Sequence, residues 1–235
     1  MMPEVPPPVR IAAALPTHEA GALRARLLGR AAALPADHPD RQPTSGSVRL
    51  RALDDDLPGA LWRRLVAGPL GPWMALRAPA PWGLLGGQCW LRCQHPPGLR
   101  PAGQHPHQWH QDGALGCCFD PAAPPEALAP LLTVWVALDG CGDDAPSLQW
   151  IDTSPDALLA PAELVDAALL RRFGAAARRH AVLDAGDALV FGGALLHRSH
   201  VTAAMSRSRA SVELRVALAA LPPRLADELL QVVDA

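Results

Sequence analysis

The chain has 235 residues, 49% of them apolar, with a formal net charge of −2. That suits one sizeable domain with a real buried core. The cations other than histidine are all arginine and form no basic block, which excludes an electrostatic footprint for nucleic acid.

Cys89, Cys93, Cys117, Cys118 and Cys141 are odd in number and contain no C-x-x-C pair. Neither a closed disulfide framework nor a cysteine-rich zinc site is expected. The opening "MMPEVPPPVR" lacks the charged start and apolar run of a signal peptide. No stretch of about 18 apolar residues suggests a membrane span. A soluble cytoplasmic protein is the expectation.

In chain order, residues 1–8 are a proline-rich tail. "THEAGALRARLLGRAAAL" (17–34) reads as a helix with Thr17 as N-cap and Leu23, Leu27, Leu28 and Leu34 as its apolar stripe. "ADHPDRQPTSGS" (36–47) reads as a loop. "DDDLPGALWRRLVAG" (54–68) reads as a second helix, acidic before its start and closed by Gly68.

From about residue 72 short apolar or alternating runs follow one another, separated by Gly, Pro and Asp. They are "WMALRA" (73–78), "QCWLRCQ" (88–94), "ALGCCF" (114–119), "LLTVWVAL" (131–138), "SLQWI" (147–151), "ALVFG" (188–192), "ALLHRS" (194–199) and "ASVELRVAL" (210–218). One helix, "PAELVDAALLRRFG" (161–174), interrupts them. Many short strands with turn signals between them predict a mainly β sandwich, jelly roll or barrel. The expected organisation is a single domain over 1–235. Residues 9–70 form a helical support, 72–218 the β core and 219–235 a C-terminal segment.

The chemistry centres on "QWHQDG" (108–113). With nine histidines, random placement gives roughly half an H-x-D, so one occurrence is weak by itself. His38-Pro39-Asp40 is a second, and it lies in a polar, proline-rich loop with no strand beside it, where a solvated turn is the expectation. His110-Gln111-Asp112 instead directly precedes a predicted strand. In an extended chain residues i and i+2 face the same way, so an imidazole and a carboxylate would converge while Trp109 and Gln111 point away.

A third ligand is expected from "GDALVFGGALLHRSHVT" (186–202). Leu195, His197 and Ser199 share one strand face; Leu196, Arg198 and His200 share the other. His197 follows an unbroken apolar run and is preferred, with His200 as the fallback. Two histidines and one carboxylate leave three open positions on an octahedral metal, as non-haem Fe(II) enzymes require for a bidentate cosubstrate and dioxygen. Zinc fits this donor set less well.

A dicarboxylic 2-oxo acid chelating such a metal needs a cation at its far end, and arginine's planar fork suits it. In "SRSRASVELR" (206–215), Arg209, Ser211, Glu213 and Arg215 share one face of a strand and Ala210, Val212, Leu214 and Val216 the other. Arg209 would return beside the metal, with Ser199 donating to the same carboxylate. A solvated strand face is the other reading of these arginines.

Together "WHQDG" (109–113), "LTVWVALD" (132–139), "GDALVFGGALLHRS" (186–199) and "SRASVELR" (208–215) resemble the phytanoyl-CoA dioxygenase family of Fe(II)/2-oxoglutarate oxygenases. The resemblance covers residues 88–218. It implies a double-stranded β-helix with the metal at its mouth and flanking N-terminal and inserted helices. It implies His110, Asp112 and His197 as iron ligands, Arg209 and Ser199 as the anchor of 2-oxoglutarate, and Thr133 and Trp135 as pocket lining.

The sequence departs from the family at "GDDAPSLQWIDTSP" (142–155), where a glycine-rich segment is usual. An asparagine is missing from "HVTAAMS" (200–206). The arginine stands one residue late, which keeps Arg207 as a competitor for Arg209. The implied reaction is oxidative decarboxylation of 2-oxoglutarate with dioxygen, releasing succinate and CO2 while a C–H bond of a small metabolite or natural-product intermediate is hydroxylated. Related halogenases have a small residue where Asp112 stands. The rival readings are a cupin-like metal-dependent hydrolase or isomerase, and a non-catalytic small-molecule-binding barrel.

Overall fold

The computed structural model describes residues 8–77, 82–114, 131–152, 158–217 and 229–231. Its elements in chain order begin with β1 (Val9–Ile11), α1 (Thr17–Ala33), β2 (Arg41–Gln42), β3 (Ser47–Arg49), α2 (Leu50–Leu53), α3 (Leu57–Val66) and α4 (Leu70–Arg77). There follow β4 (Gly83–Leu85), β5 (Trp90–Gln94), β6 (Leu131–Ala137), β7 (Ser147–Ile151), α5 (Asp166–Phe173), β8 (Arg178–His180), β9 (Ala188–Gly192), β10 (His197–His200), β11 (Arg209–Ala217) and β12 (Leu229–Gln231).

The described strands form two antiparallel sheets. The larger runs β1-β9-β6-β11-β5-β3-β2, with β4 pairing both β11 and β12; the smaller runs β10-β7-β8. This is the mainly β architecture of a double-stranded β-helix with flanking helices. The central strands β6 and β11 are buried along their whole length, because each of their faces meets a different layer. Leu132, Val134 and Val136 of β6 and Val212, Leu214 and Val216 of β11 join Leu27, Leu50, Leu61, Trp62, Leu65 and Met74 of the helices in the main core. The opposite face looks toward the smaller sheet, where Trp135, Leu148, Leu183, Leu189, Phe191 and Leu195 form a second cluster. The polar site lies on this inner face.

Several elements differ from the sequence reading. The described part of "WMALRA", residues 73–77, belongs to a helix, because Leu70 and Met74, four residues apart, bury one helical stripe and both are fully inaccessible. Pro72 falls in the first turn of that helix, where no backbone donor is lost. Thr17 opens α1 but does not cap it: Pro16 holds the cap position, and the Thr17 hydroxyl donates to the Ala185 carbonyl at 3.3 Å. The 161–174 segment starts as a 3-10 turn at Pro161–Glu163 and becomes α-helical only from Asp166. The 36–47 stretch contains β2. The control motif His38-Pro39-Asp40 forms a local turn, its imidazole accepting from Asp40 N at 3.2 Å while the Asp40 carboxylate pairs with Arg49 and Arg51.

One turn sets the strand that leads to His197. Gly186 has φ of 98°, and a Cβ there would stand 2.1 Å from the Leu15 carbonyl oxygen, so only glycine fits. Asp187 beside it accepts from Ala13 N at 2.9 Å and Asp184 N at 3.0 Å, which pins the entry to β9.

Candidate metal centre

His110 and His197 sit directly opposite one another in an antiparallel bridge. His110 N donates to His197 O at 3.0 Å and His197 N to His110 O at 3.1 Å. Directly paired residues put their side chains on the same face, and the two imidazole centroids are 4.2 Å apart. The chain then turns instead of extending as predicted: Asp112–Ala114 is a 3-10 turn, with Ala114 N donating to Gln111 O. That turn swings Asp112 under both rings. The rest of the predicted strand 114–119, with Cys117 and Cys118, lies outside the described residues.

His110, Asp112 and His197 offer three ligand atoms within 4.8 Å of one another. Each imidazole has its Nδ1 at a backbone carbonyl, His110 at Gln108 O (2.6 Å) and His197 at Leu195 O (3.0 Å). A carbonyl only accepts, so the proton resides on Nδ1 and the Nε2 lone pair is free. Both Nε2 atoms look at Asp112: His110 Nε2 is 3.7 Å from Oδ1 and His197 Nε2 is 3.7 Å from Oδ2. Burial pushes the His110 imidazole down to about 4. Burial alone would raise the Asp112 carboxyl, but the Arg215 guanidinium, the two imidazoles and the Thr133 hydroxyl together outweigh it and hold it far below the usual carboxylate range. Two imidazoles that turn Nε2 inward and one ionised carboxylate, converging and preformed, are the donor set a divalent first-row metal takes.

The other expected residues occupy the same inner face. Thr133 donates from Oγ1 to Asp112 Oδ2 at 2.6 Å, so its hydroxyl braces Asp112 rather than facing open space. Arg209 is 2% exposed. It donates to Pro146 O (3.0 Å) and Ser211 Oγ, lies 4.7 Å over the Trp135 ring, and forms no ion pair with a described carboxylate. Trp135 is fully buried, and its Nε1–H has no partner among the described residues. Ser199 accepts from His107 N at 3.2 Å and stands 3.4 Å from Gln94 Oε1, while Gln94 is the ladder partner of Arg209. The competitors lie elsewhere. Arg207 is half-exposed and paired with Asp144 (2.6 and 2.7 Å). His200 stacks on His180 at 4.4 Å, and its chain position alternates to the other strand face.

Other functional neighbours were not singled out from sequence. Gln111 is 2% exposed. It donates to Ala194 O at 2.9 Å and accepts from Leu159 N at 2.8 Å, bracing the motif from behind. Trp109 donates to Asp166 Oδ1 at 3.1 Å, and Arg198 and Arg178 cover its ring. Arg92, Glu213 and His107 extend the buried polar cluster. Burial, helped by Arg92, pushes the His107 imidazole down to about 2. The alternation of Arg209, Ser211, Glu213 and Arg215 was visible, but a charged face reads equally as solvated. Here all four are buried.

A jelly roll with two histidines and a carboxylate converging on its inner face defines a class of mononuclear metal proteins. The phytanoyl-CoA dioxygenase (PhyH) profile matches residues 90–208, from β5 through both metal-motif segments to the threshold of Arg209. The chain belongs to the phytanoyl-CoA dioxygenase family. No curated protein sequence matches it. Among solved structures it is similar to SnoN, a non-haem alpha-ketoglutarate-dependent epimerase from nogalamycin biosynthesis, with 18% identity, TM-score 0.61, and coverage of 89% of this chain and 78% of that one. It is similar to EctD from S. alaskensis, solved with 2-oxoglutarate and 5-hydroxyectoine, with 18% identity, TM-score 0.61 and coverage of 89% and 71%. HygX from Streptomyces hygroscopicus, solved with nickel and 2-oxoglutarate, gives 14% identity, TM-score 0.57 and coverage of 89% and 82%. At these identities the likeness is one of fold. No helix among the described residues is long and apolar enough to cross a membrane.

Proposed function

We propose that the chain is a non-haem Fe(II)- and 2-oxoglutarate-dependent dioxygenase that hydroxylates a small metabolite or natural-product intermediate, as a single catalytic domain. His110 and His197, through Nε2, and Asp112 would hold the iron. The bound iron supplies, with 2-oxoglutarate and dioxygen, the oxidation of a C–H bond, and succinate and CO2 are released.

The observation that carries the reading is Arg209. Among the described residues, the inner face holds three arginines, Arg92, Arg209 and Arg215, and two carboxylates, Asp112 and Glu213. Arg92 and Arg215 are paired with those carboxylates; Arg209 is not. A buried cation without an anion costs several kcal/mol unless something pairs with it, and the orphan Trp135 Nε1–H lies under the same guanidinium. Both suit a ligand carboxylate. Ser199 lies two residues beyond His197 on the same strand face, about 7 Å along the chain, which is the scale of a five-carbon dicarboxylate. Ser199 reaches Gln94, the neighbour of Arg209. One end of 2-oxoglutarate at the metal and the other at Arg209, Trp135 and Ser199 therefore agrees with the fixed donors of this face.

The remaining residues orient and shield. The carbonyls of Gln108 and Leu195 hold the imidazole protons on Nδ1, so neither ring turns away from the metal. Phe191 packs edge-on to His197 at 4.8 Å and walls that side against water. A hydrolase or isomerase that does not consume 2-oxoglutarate would have no use for an anion site at Arg209. Hydroxylation is favoured over halogenation because Asp112 fills the carboxylate position; SnoN's epimerisation marks the range of outcomes such a scaffold supports.

The test is succinate release from 2-oxoglutarate with Fe(II) in air. The unaltered chain is expected to turn over 2-oxoglutarate slowly even without substrate, and Asp112→Ala to lose that turnover. Near-normal succinate formation by Asp112→Ala removes the triad; none by the unaltered chain removes the reading.

A further inference from the structure

The inner face of β11 carries a buried chain of alternating charges. Arg92 Nε lies 2.6 Å from Glu213 Oε1, Glu213 Oε2 accepts from Arg215 at 3.2 Å, and Arg215 Nη2 donates to Asp112 Oδ1 at 2.7 Å. The Arg215 and Asp112 side chains are 6% and 4% exposed. We infer that Arg215 is a positioning residue that reserves one oxygen of Asp112, so that Asp112 gives a metal a single ligand atom and leaves room for a bidentate cosubstrate. The inference rests on the dioxygenase reading and names what makes it workable.

The two oxygens of Asp112 are held unequally. Oδ1 receives a charge-assisted bond from a guanidinium; Oδ2 receives a bond from the neutral hydroxyl of Thr133. Both bonds have an ionised acceptor, but only the one at Oδ1 joins two opposite full charges, and it is buried. Arg215 is also unable to drift: Glu213 grips both of its Nη atoms from the other side. Its strand is fixed between neighbours, with Arg215 opposite Thr133 in the β6–β11 ladder. Both donors to Asp112 therefore come from one rigid pair of residues. Oδ2, on the His197 side, is the oxygen less tightly committed.

The consequence concerns coordination number. Two imidazoles and one carboxylate oxygen leave three of six octahedral positions open; a chelating carboxylate leaves two. A 2-oxo acid needs two and dioxygen a third. Without Arg215, Oδ1 loses its charged donor and both Asp112 oxygens can turn to the metal. Metal binding then survives while cosubstrate binding suffers, a split that general destabilisation does not produce.

Calorimetry on the full chain reads the two bindings separately, Mn(II) to the metal-free protein and then 2-oxoglutarate to the Mn(II)-loaded protein, with near-ultraviolet circular dichroism as the check on folding. Arg215→Gln is expected to keep its Mn(II) affinity within about threefold, because the second Asp112 oxygen replaces what orientation is lost, and to lose 2-oxoglutarate affinity by roughly tenfold or more. Arg215→Lys, which keeps the charge with one point contact, is expected to recover part of the loss. Unchanged 2-oxoglutarate affinity in Arg215→Gln, or equal losses of both ligands, overturns the inference. If Arg215→Gln does not fold, the same comparison on Arg215→Lys decides it: a selective loss of 2-oxoglutarate supports the role and equal changes overturn it. An unaltered chain that binds Mn(II) but no 2-oxoglutarate overturns the dioxygenase reading, and this role with it.

Discussion

Replacing Arg209 by Gln separates charge from shape at the cosubstrate anchor. Glutamine keeps part of the stem over Trp135 and can still donate to the Pro146 carbonyl, which Arg209 reaches at 3.0 Å. It removes a cation that is 2% exposed and has no described carboxylate partner. Truncating one member of a buried, hydrogen-bonded charge pair costs about 2–5 kcal/mol, or roughly 30-fold to several thousand-fold in affinity. Arg207→Gln is the control. Arg207 is exposed and its bridge to Asp144 is a surface pair, so 2-oxoglutarate binding should stay within about threefold. The assay is titration of 2-oxoglutarate into the Mn(II)-loaded protein, repeated with a 2-oxo monocarboxylate that lacks the distal carboxylate. That analogue should bind the unaltered protein weakly and be indifferent to Arg209→Gln, since the lost interaction is already missing. Equal effects at Arg207 and Arg209, or an equal loss of dicarboxylate and monocarboxylate, would refute the reasoning.

Further outcomes are expected elsewhere in the chain. His197→Ala should weaken Mn(II) binding beyond the 10–100-fold typical of outer partners, whereas His200→Ala, on the opposite strand face, should stay within about threefold; the reverse pattern moves the ligand. Gln111→Ala strands the Leu159 N–H and the Ala194 carbonyl. It should cost about 2–4 kcal/mol and lower Tm by roughly 5–15 °C; a Tm within 1–2 °C (about the effect of ~0.5 kcal/mol) would show that the brace is dispensable. Burial pushes the Cys141 thiol up to about 11. Its folded pKa lies above its unfolded value, so this contribution is complete below about pH 8.5 and fades as pH rises toward 11. Urea unfolding should show that alkaline loss, and Cys141→Ala should flatten it; an unchanged slope would contradict the assignment.

Much of the β core was legible because its strands alternate or run apolar between turn residues. "LLTVWVAL", "SLQWI", "ALVFG" and "ASVELRVAL" all coincide with strands. "WMALRA" misled because six residues are too few to distinguish a strand from a helix whose stripe begins earlier, at Leu70. The triad residues could be selected from sequence, yet the reason they converge could not. His110 and His197 meet through a backbone bridge, and Asp112 arrives by a 3-10 turn rather than by strand alternation. The buried charges were the least legible. Glu213 and Arg215 look like a solvated strand face until the rest of the fold closes over them, because sequence alternation reports that residues share a face, not which side holds water. Gln111 likewise points away from the metal, as its position in the motif suggests, but into protein contacts that hold the motif in place.

The central claim is that one site holds a metal and 2-oxoglutarate together. Anaerobic addition of Fe(II) and 2-oxoglutarate to the metal-free chain tests it most directly, through the visible charge-transfer absorption of a chelated 2-oxo acid. The expected band needs both additions, is lost in Asp112→Ala and fades in Arg209→Gln at 2-oxoglutarate concentrations that saturate the unaltered chain. Iron binding without any band in the unaltered chain, or an undiminished band in Asp112→Ala, would contradict it.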